Sequence, residues 1–251
     1  MKTRNTMNQR IATLPHLYAA VSRILAVSAI GALAACGGKP APQAIHPAPP
    51  VPPLRLADPV SNRTQTQLQA LLQAPERCQA LLRGAPDLKV TPLPDRQGPG
   101  GCAITNAGRI DATVVQINQG STPLTCPMIA ALHLWARDIV VPAARRHFGV
   151  DLRAINSWGS YTCRTVNNQT GAKLSEHARA NAIDIPSFVL ADGRTITVKA
   201  DWRGEDGAKV AFLREVHRGG CRIFGTVLGP ESDSFHQDHL HLDMAAQRYC
   251  R

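Results

Sequence analysis

Three histidines fall within six positions near the end of the chain, in His236-Gln237-Asp238-His239-Leu240-His241. If this segment is a strand, successive residues point to opposite faces. His239, His241 and Asp243 then share one face, and Leu240, Leu242 and Met244 share the other. The apolar face belongs in a core, which leaves the imidazole face for polar chemistry. Two imidazoles two residues apart on a rigid strand are suited to presenting nitrogen to zinc. A second group, Ser175-Glu176-His177 with Asp184 further on, supplies another imidazole and a carboxylate. Their separation puts His177 and Asp184 on opposite faces of any continuous strand. They meet only if the chain bends between them, with His177 in a loop and Asp184 on the following strand.

The elements that must position these groups read as strands interleaved with a few helices. Helices are expected at residues 67–73, 76–83 and 207–218, the last carrying Val210, Leu213 and Val216 and stopped by Gly219-Gly220. Another starts at Thr125 as cap with Pro127 in its first turn. It places Ile129, Leu132, Ala136, Ile139 and Val140 on one face, kinks or restarts at Pro142 and ends at Gly149. Strands are expected at 102–106, 112–117, 150–156, 181–185, 195–198, 222–224 and 239–244. The fold class is α+β, a small mixed or antiparallel sheet with flanking helices, over one body spanning residues 62–251.

Residues 1–35 read as an export signal, with Lys2, Arg4 and Arg10 ahead of an uncharged apolar run at 24–35. That run is shorter than the roughly 20 residues a membrane-spanning helix needs. It ends in Leu33-Ala34-Ala35-Cys36, which resembles the lipobox of bacterial lipoproteins. The resemblance implies a lipid on Cys36 and, with no Asp following, an outer-membrane address. Residues 36–61 form a lipidated cysteine and a Pro/Ala-rich linker, with five prolines between positions 47 and 53, a composition suited to an extended spacer. Removing residues 1–35, which hold four Lys/Arg and no acids, lowers the net charge from +10 to +6. That balance suits an acidic polymer or anionic lipid, whereas the lack of a basic run or aromatic platform argues against nucleic acid, as does export.

Beyond Cys36 the cysteines are Cys78, Cys102, Cys126, Cys163, Cys221 and Cys250. An even number in an oxidising compartment implies three disulfides, and the absence of any C-x-x-C pair argues against a structural zinc cluster. Pairing neighbours along the chain gives Cys78–Cys102, Cys126–Cys163 and Cys221–Cys250.

The spacing His-x6-Asp followed much later by His-x-His resembles the LAS-type zinc peptidases, among them D-Ala-D-Ala carboxypeptidases and murein endopeptidases. Their Ser-x-His-x-x-Gly-x-Ala-x-Asp motif is matched by Ser175, His177, Ala182 and Asp184, with Ala180 in place of the glycine. Most of the chain beyond the linker also resembles the bacterial extensin-like C-terminal family. That likeness runs through Leu124-Thr125-Cys126-Pro127, Gly159-Ser160-Tyr161-Thr162-Cys163-Arg164, Ser175-Glu176-His177-Ala178 and His239-Leu240-His241-Leu242-Asp243.

The resemblance implies that His177, Asp184 and His241 ligate Zn2+, leaving a fourth position for water. Asp238 stands where carboxypeptidase relatives have a Glu, and His236 and His239 complete a His-x-x-His-x-His spacing found in some endopeptidases. These residues are the candidates for the base, with Asp238 placed first. Arg164 matches an arginine that holds substrate in those enzymes, an inserted Cys163 being the departure; a surface salt bridge is its other reading. Asp243 is expected to orient a ligand histidine. His133, His147 and His217 are expected to be partnered structural histidines. The activity so implied is that of an outer-membrane-anchored peptidase acting on peptidoglycan. The alternative is a lipoprotein that binds peptidoglycan without cleaving it.

Overall fold

The computed structural model of the chain describes residues 52–118 and 122–251; the expected signal peptide, Cys36 and most of the linker lie outside the described residues. Two short helices come first, α1 (Thr64–Ala70) and α2 (Pro75–Arg83). Pro75 suits the opening of α2, because a first-turn residue has no intrahelical use for the N–H that proline lacks. Short strands follow: β1 (Lys89–Pro92), β2 (Arg96–Gln97), β3 (Ala103–Ile104), β4 (Ala107–Ala112), β5 (Gln116–Asn118) and β6 (Leu124–Thr125). β1, β4 and β6 form one antiparallel sheet, and β2 pairs with β3.

The centre of the fold is α3 (Cys126–Trp135), which continues through a π-helical stretch, Ala136–Val140, into α4 (Val141–Phe148). All ten residues of α3 are buried, so it is not the one-sided helix its apolar spacing predicts. Pro142 lies in the first turn of α4, where it cannot donate to the preceding turn. The wider π turn before it absorbs that mismatch, so the helix continues. Gly149, left-handed at φ 66°, ends it as expected.

The second half supplies β7 (Leu152–Asn156), β8 (Ala182–Ile185), β9 (Ser187–Leu190), β10 (Thr195–Thr197), α5 (Val198–Asp201) and α6 (Gly207–Gly220). It closes with β11 (Thr226–Leu228), β12 (Leu240–Asp243) and β13 (Tyr249–Cys250). One four-stranded sheet runs β10–β9–β7–β5, its β7–β5 pair parallel. The other runs β13–β11–β12–β8, its β13–β11 pair parallel. Helices and sheets meet over an aromatic core in which the Trp135 ring lies 6.0 Å from Phe188 and 6.1 Å from Phe224. The Trp135 indole N–H is satisfied by the Val216 carbonyl at 2.9 Å. The result is a mixed α+β fold with small antiparallel and mixed sheets, flanking helices and three disulfides. No helix among the described residues is long and apolar enough to cross a membrane.

Several expectations change. Residues 222–224 form a turn, and the strand starts at Thr226. The strand expected over 112–117 is broken at residues 113–115 between β4 and β5. The disulfides are Cys78–Cys126, Cys102–Cys163 and Cys221–Cys250, so only the last of the neighbour pairs forms. The reason is tertiary: α2 is clasped to the start of α3, and the loop before β3 to the segment that carries Arg164. The body also begins before residue 62. Leu56 is buried, Leu54 and Val60 pack against the core, and the Val60 N–H donates to Asp138 at 2.8 Å. Arg137 donates to the carbonyls of Leu56 and Asp58. The prolines of this stretch suggested a spacer, but its three large apolar side chains have a groove to enter.

Candidate metal centre

The antiparallel register of β12 and β8 sets His241 directly opposite Asp184. His241 Nδ1 lies 3.0 Å from Asp184 Oδ1. His177 reaches the same point from a 3-10 turn, Glu176–Arg179, whose first residues are held by the Ser175 hydroxyl accepting the His177 N–H at 3.3 Å. Ala180 then takes the left-handed conformation, φ 54° and ψ 27°, and β8 starts two residues later. This is the bend that residue parity required. It leaves His177 Nε2 3.2 Å from Asp184 Oδ2 and 3.1 Å from His241 Nδ1. The turn is braced from behind. Asn181 donates to Glu176 at 2.6 Å, and the Thr125 hydroxyl donates to Asn181 at 2.7 Å. Thr125 thus stands at the N-cap of α3 but spends its hydroxyl on this brace, not on the helix.

The outer ring nitrogens decide what the inner ones can do. His177 Nδ1 is 2.7 Å from the Ser160 carbonyl, which only accepts; the hydrogen therefore sits on Nδ1 and the Nε2 lone pair points inward. His241 Nε2 is 3.1 Å from Asp243 Oδ2, so by the same logic its Nδ1 lone pair points inward. Two imidazole lone pairs and a carboxylate therefore face one another at 3.0–3.2 Å, with His177 and His241 buried. Such a group is repulsive unless a cation or an added proton sits inside it. Burial opposes a charge on His241, yet the hydrogen bonds and charges of Asp184 and Asp243 outweigh it and raise its pKa to about 9. Burial likewise raises the Asp184 carboxyl, but hydrogen bonds from His177 and His241 prevail and hold it below the usual carboxylate range. Ligands on a tetrahedral zinc with bonds of about 2.0–2.1 Å lie about 3.3 Å apart, close to the spacing here. The donor set fits zinc in type, number and geometry. His217, Cys221 and Cys250 also converge, but the two cysteines are bonded to each other and offer no thiolate.

The remaining predicted residues surround this centre. His239 Nε2 lies 3.5 Å from Asp184 Oδ1, and its Nδ1 lies 3.0 Å from Asp238 Oδ1. Asp238 precedes β12, as its approach to the site required, and its carboxylate meets His239. The His236 ring is 5.2 Å from His239 and 5.6 Å from His241, with its Nδ1 2.7 Å from Asp233. Burial lowers the His236 pKa against the pull of Asp233. Arg164 lines a cavity of about 300 Å³ together with His236, His241 and Asp243. Its side chain bonds only the Thr165 carbonyl, at 3.3 Å, and forms no salt bridge among the described residues. The Cys102–Cys163 bond fastens the segment just before it. His133, His147 and His217 find partners in Thr113, Glu215 and the Arg251 carbonyl.

Sequence reasoning missed three contributors: the Ser160 carbonyl, Asn181, and Trp158, whose ring lies 5.1 Å from His239. A carbonyl leaves no trace in residue type, but a tryptophan beside Gly159 in a polar loop is a signal that could have been followed.

No curated protein and no solved structure matches the chain. A family model does, that of the extensin-like protein C-terminus, over residues 76–251. The matched span holds His177, Asp184, His241, Arg164 and all six disulfide cysteines, and by it the chain belongs to the extensin-like protein C-terminus family.

Proposed function

We propose that this protein is a zinc-dependent peptidase that acts on the peptide stems or crosslinks of peptidoglycan, held at the outer membrane by a lipid on Cys36. The observation that carries the proposal is the convergence of His177 Nε2, His241 Nδ1 and the Asp184 carboxylate, with the outer nitrogen of each imidazole given to an acceptor. The likeness of Ser175, His177, Ala182 and Asp184 to the LAS-type peptidase motif supports it. Ala180 adopts a left-handed turn at the position where that motif has glycine. The positive balance and the Pro-rich linker suit work on an acidic wall.

When bound, zinc supplies Lewis acidity, polarising a carbonyl and lowering the pKa of a water to about 7. The protein supplies proton handling and orientation. Asp238 accepts from His239 Nδ1, which leaves the Nε2 lone pair facing the centre. We therefore place proton transfer at His239 Nε2, with Asp238 as the residue that positions it. Asp243 and the Ser160 carbonyl keep the ligand imidazoles in the required tautomers. Arg164 lines the cavity with a guanidinium that has no carboxylate partner among the described residues, ready for a substrate carboxylate or carbonyl.

The test uses the mature chain without its lipid cysteine, residues 37–251, purified from an oxidising compartment beside His177→Ala. About one zinc per chain and release of soluble fragments from purified murein are expected, both lost in the variant while its circular dichroism is unchanged. Cleavage retained by His177→Ala overturns the assignment. Murein captured by the zinc-loaded protein without soluble product replaces the peptidase with a binding module.

A further inference from the structure

A cavity of about 600 Å³ is lined by Trp158 and Asp238, the two residues set against His239, and falls within the size range of about 300–1,000 Å³ common for small-molecule sites. Its lining combines one exposed aromatic with a row of uncharged polar groups. Trp158 is 54% exposed, whereas Trp135 and Trp202 are at 0% and 2%. The position of Trp158 is fixed by backbone. Its N–H donates to the Asp184 carbonyl at 2.9 Å, the Asp184 N–H donates to the Gly159 carbonyl at 3.3 Å, and Gly159 turns at φ 111°, where a side chain is disfavoured. The exposed tryptophan is therefore built onto the strand that supplies a candidate ligand.

In the same lining, the register of the β9–β7–β5 sheet aligns Ser187, Asn156 and Asn118 in one row. Asn118 donates to Asn156 Oδ1 at 2.6 Å, and Asn156 donates to Ser187 Oγ at 2.8 Å. This ladder fixes which way each amide points. By donor and acceptor count it leaves Asn118 Oδ1, one hydrogen on each amide and the Ser187 hydroxyl hydrogen for a ligand. Lys199 and Asp238 also line the cavity, and their charges offset each other.

An apolar platform sharing one cavity with oriented, uncharged donors and acceptors matches a pyranose ring. The ring offers a C–H face to an indole and hydroxyls to amides, and an acetamido substituent adds a matching donor and acceptor. We infer that this cavity is a subsite for an N-acetylated hexosamine of a glycan chain. On the reading of the protein as a peptidoglycan peptidase, on which this rests, a stem would enter the metal centre with its sugar stacked on Trp158.

Chitotriose is the probe, titrated into the mature chain by calorimetry and by tryptophan fluorescence, which reports Trp158 because the other two indoles are enclosed. Saturable binding with altered emission is expected. Trp158→Ala should weaken it about tenfold or more, and Trp158→Tyr should retain most of it. The fold should tolerate both, since the anchoring hydrogen bonds are backbone. The titration is repeated on metal-free protein and on His177→Ala, where binding should persist. Sugar binding without murein cleavage thus defeats the peptidase reading and leaves the subsite standing. No saturable binding, equal binding by Trp158→Ala, or equal binding of cellotriose, which lacks the acetamido groups, overturns the inference.

Discussion

Replacing Asp243 by Asn changes one atom in size and reverses one hydrogen-bonding role. Asp243 Oδ1 accepts backbone N–H groups from Thr226 at 3.2 Å and Ala245 at 2.8 Å, so an amide oxygen takes that place. The amide nitrogen is then forced to the Oδ2 position, 3.1 Å from His241 Nε2. Two donors cannot face each other there, and the imidazole answers by moving its hydrogen to Nδ1. That removes the lone pair aimed at Asp184 and His177. Loss of an outer partner to a ligand histidine costs about 10–100-fold in metal affinity. The forced tautomer puts Asp243→Asn at the upper end, about 100-fold, or about 2.7 kcal/mol. Asp243→Ala also loses the acceptor but leaves the imidazole free to keep either tautomer, so its loss should be nearer tenfold. Zinc dissociation constants from chelator competition at neutral pH measure both, and urea unfolding of the metal-free proteins checks the fold. Affinity within about threefold of wild type for Asp243→Asn, or Asn gentler than Ala, refutes the tautomer argument.

Non-reducing peptide mapping should recover Cys78 with Cys126 and Cys102 with Cys163. Recovery of Cys78 with Cys102 would contradict the fold. Removing Cys78–Cys126, which closes a 48-residue separation, should lower stability in urea by up to about 4 kcal/mol on chain entropy alone. Ala180→Gly relieves a left-handed alanine, about 1–2 kcal/mol, but deletes a fully buried methyl and loosens the unfolded chain, so the net change should stay within about 1 kcal/mol. Ala180→Val at the same angles should cost more than about 2 kcal/mol, and equal urea midpoints for the two variants would reject the strained turn. The metal-free protein should be most stable near pH 6.5. His241 rises from 6.5 to about 9 on folding, so its contribution is full below 6.5 and is lost as pH climbs through 9. Burial lowers His133 and His217, so below 6.5 the unfolded chain takes protons more readily and stability falls again. Saturating zinc should flatten the alkaline limb, because ligand histidines are deprotonated in folded protein; an unchanged limb in thermal melts would count against a metal at His241.

The alternation in residues 239–244 was enough to place Leu240, Leu242 and Met244 in the core with the imidazoles on the other side, and the structure keeps that division. Gly149 and Pro142 could be read for the same reason, since a left-handed stop and a missing N–H act on adjacent turns. Parity along the chain even required a bend between His177 and Asp184. How the bend is made was not legible: it depends on a Ser175 hydroxyl, a left-handed Ala180 and a brace running through Asn181 to Thr125. The partners of Cys78, Cys102, Cys126 and Cys163, the burial of α3 on all sides and the docking of Leu54, Leu56 and Val60 were equally out of reach, whereas Cys221–Cys250 formed as read. The Trp158 cavity depends on three strands aligning one polar residue each. What residue types and their period determine is the chemistry available and the face it occupies, because both depend on near neighbours in the chain. Only the tertiary structure decides which lone pairs meet, because His241 faces Asp184 across 57 residues through a strand register that no local pattern encodes.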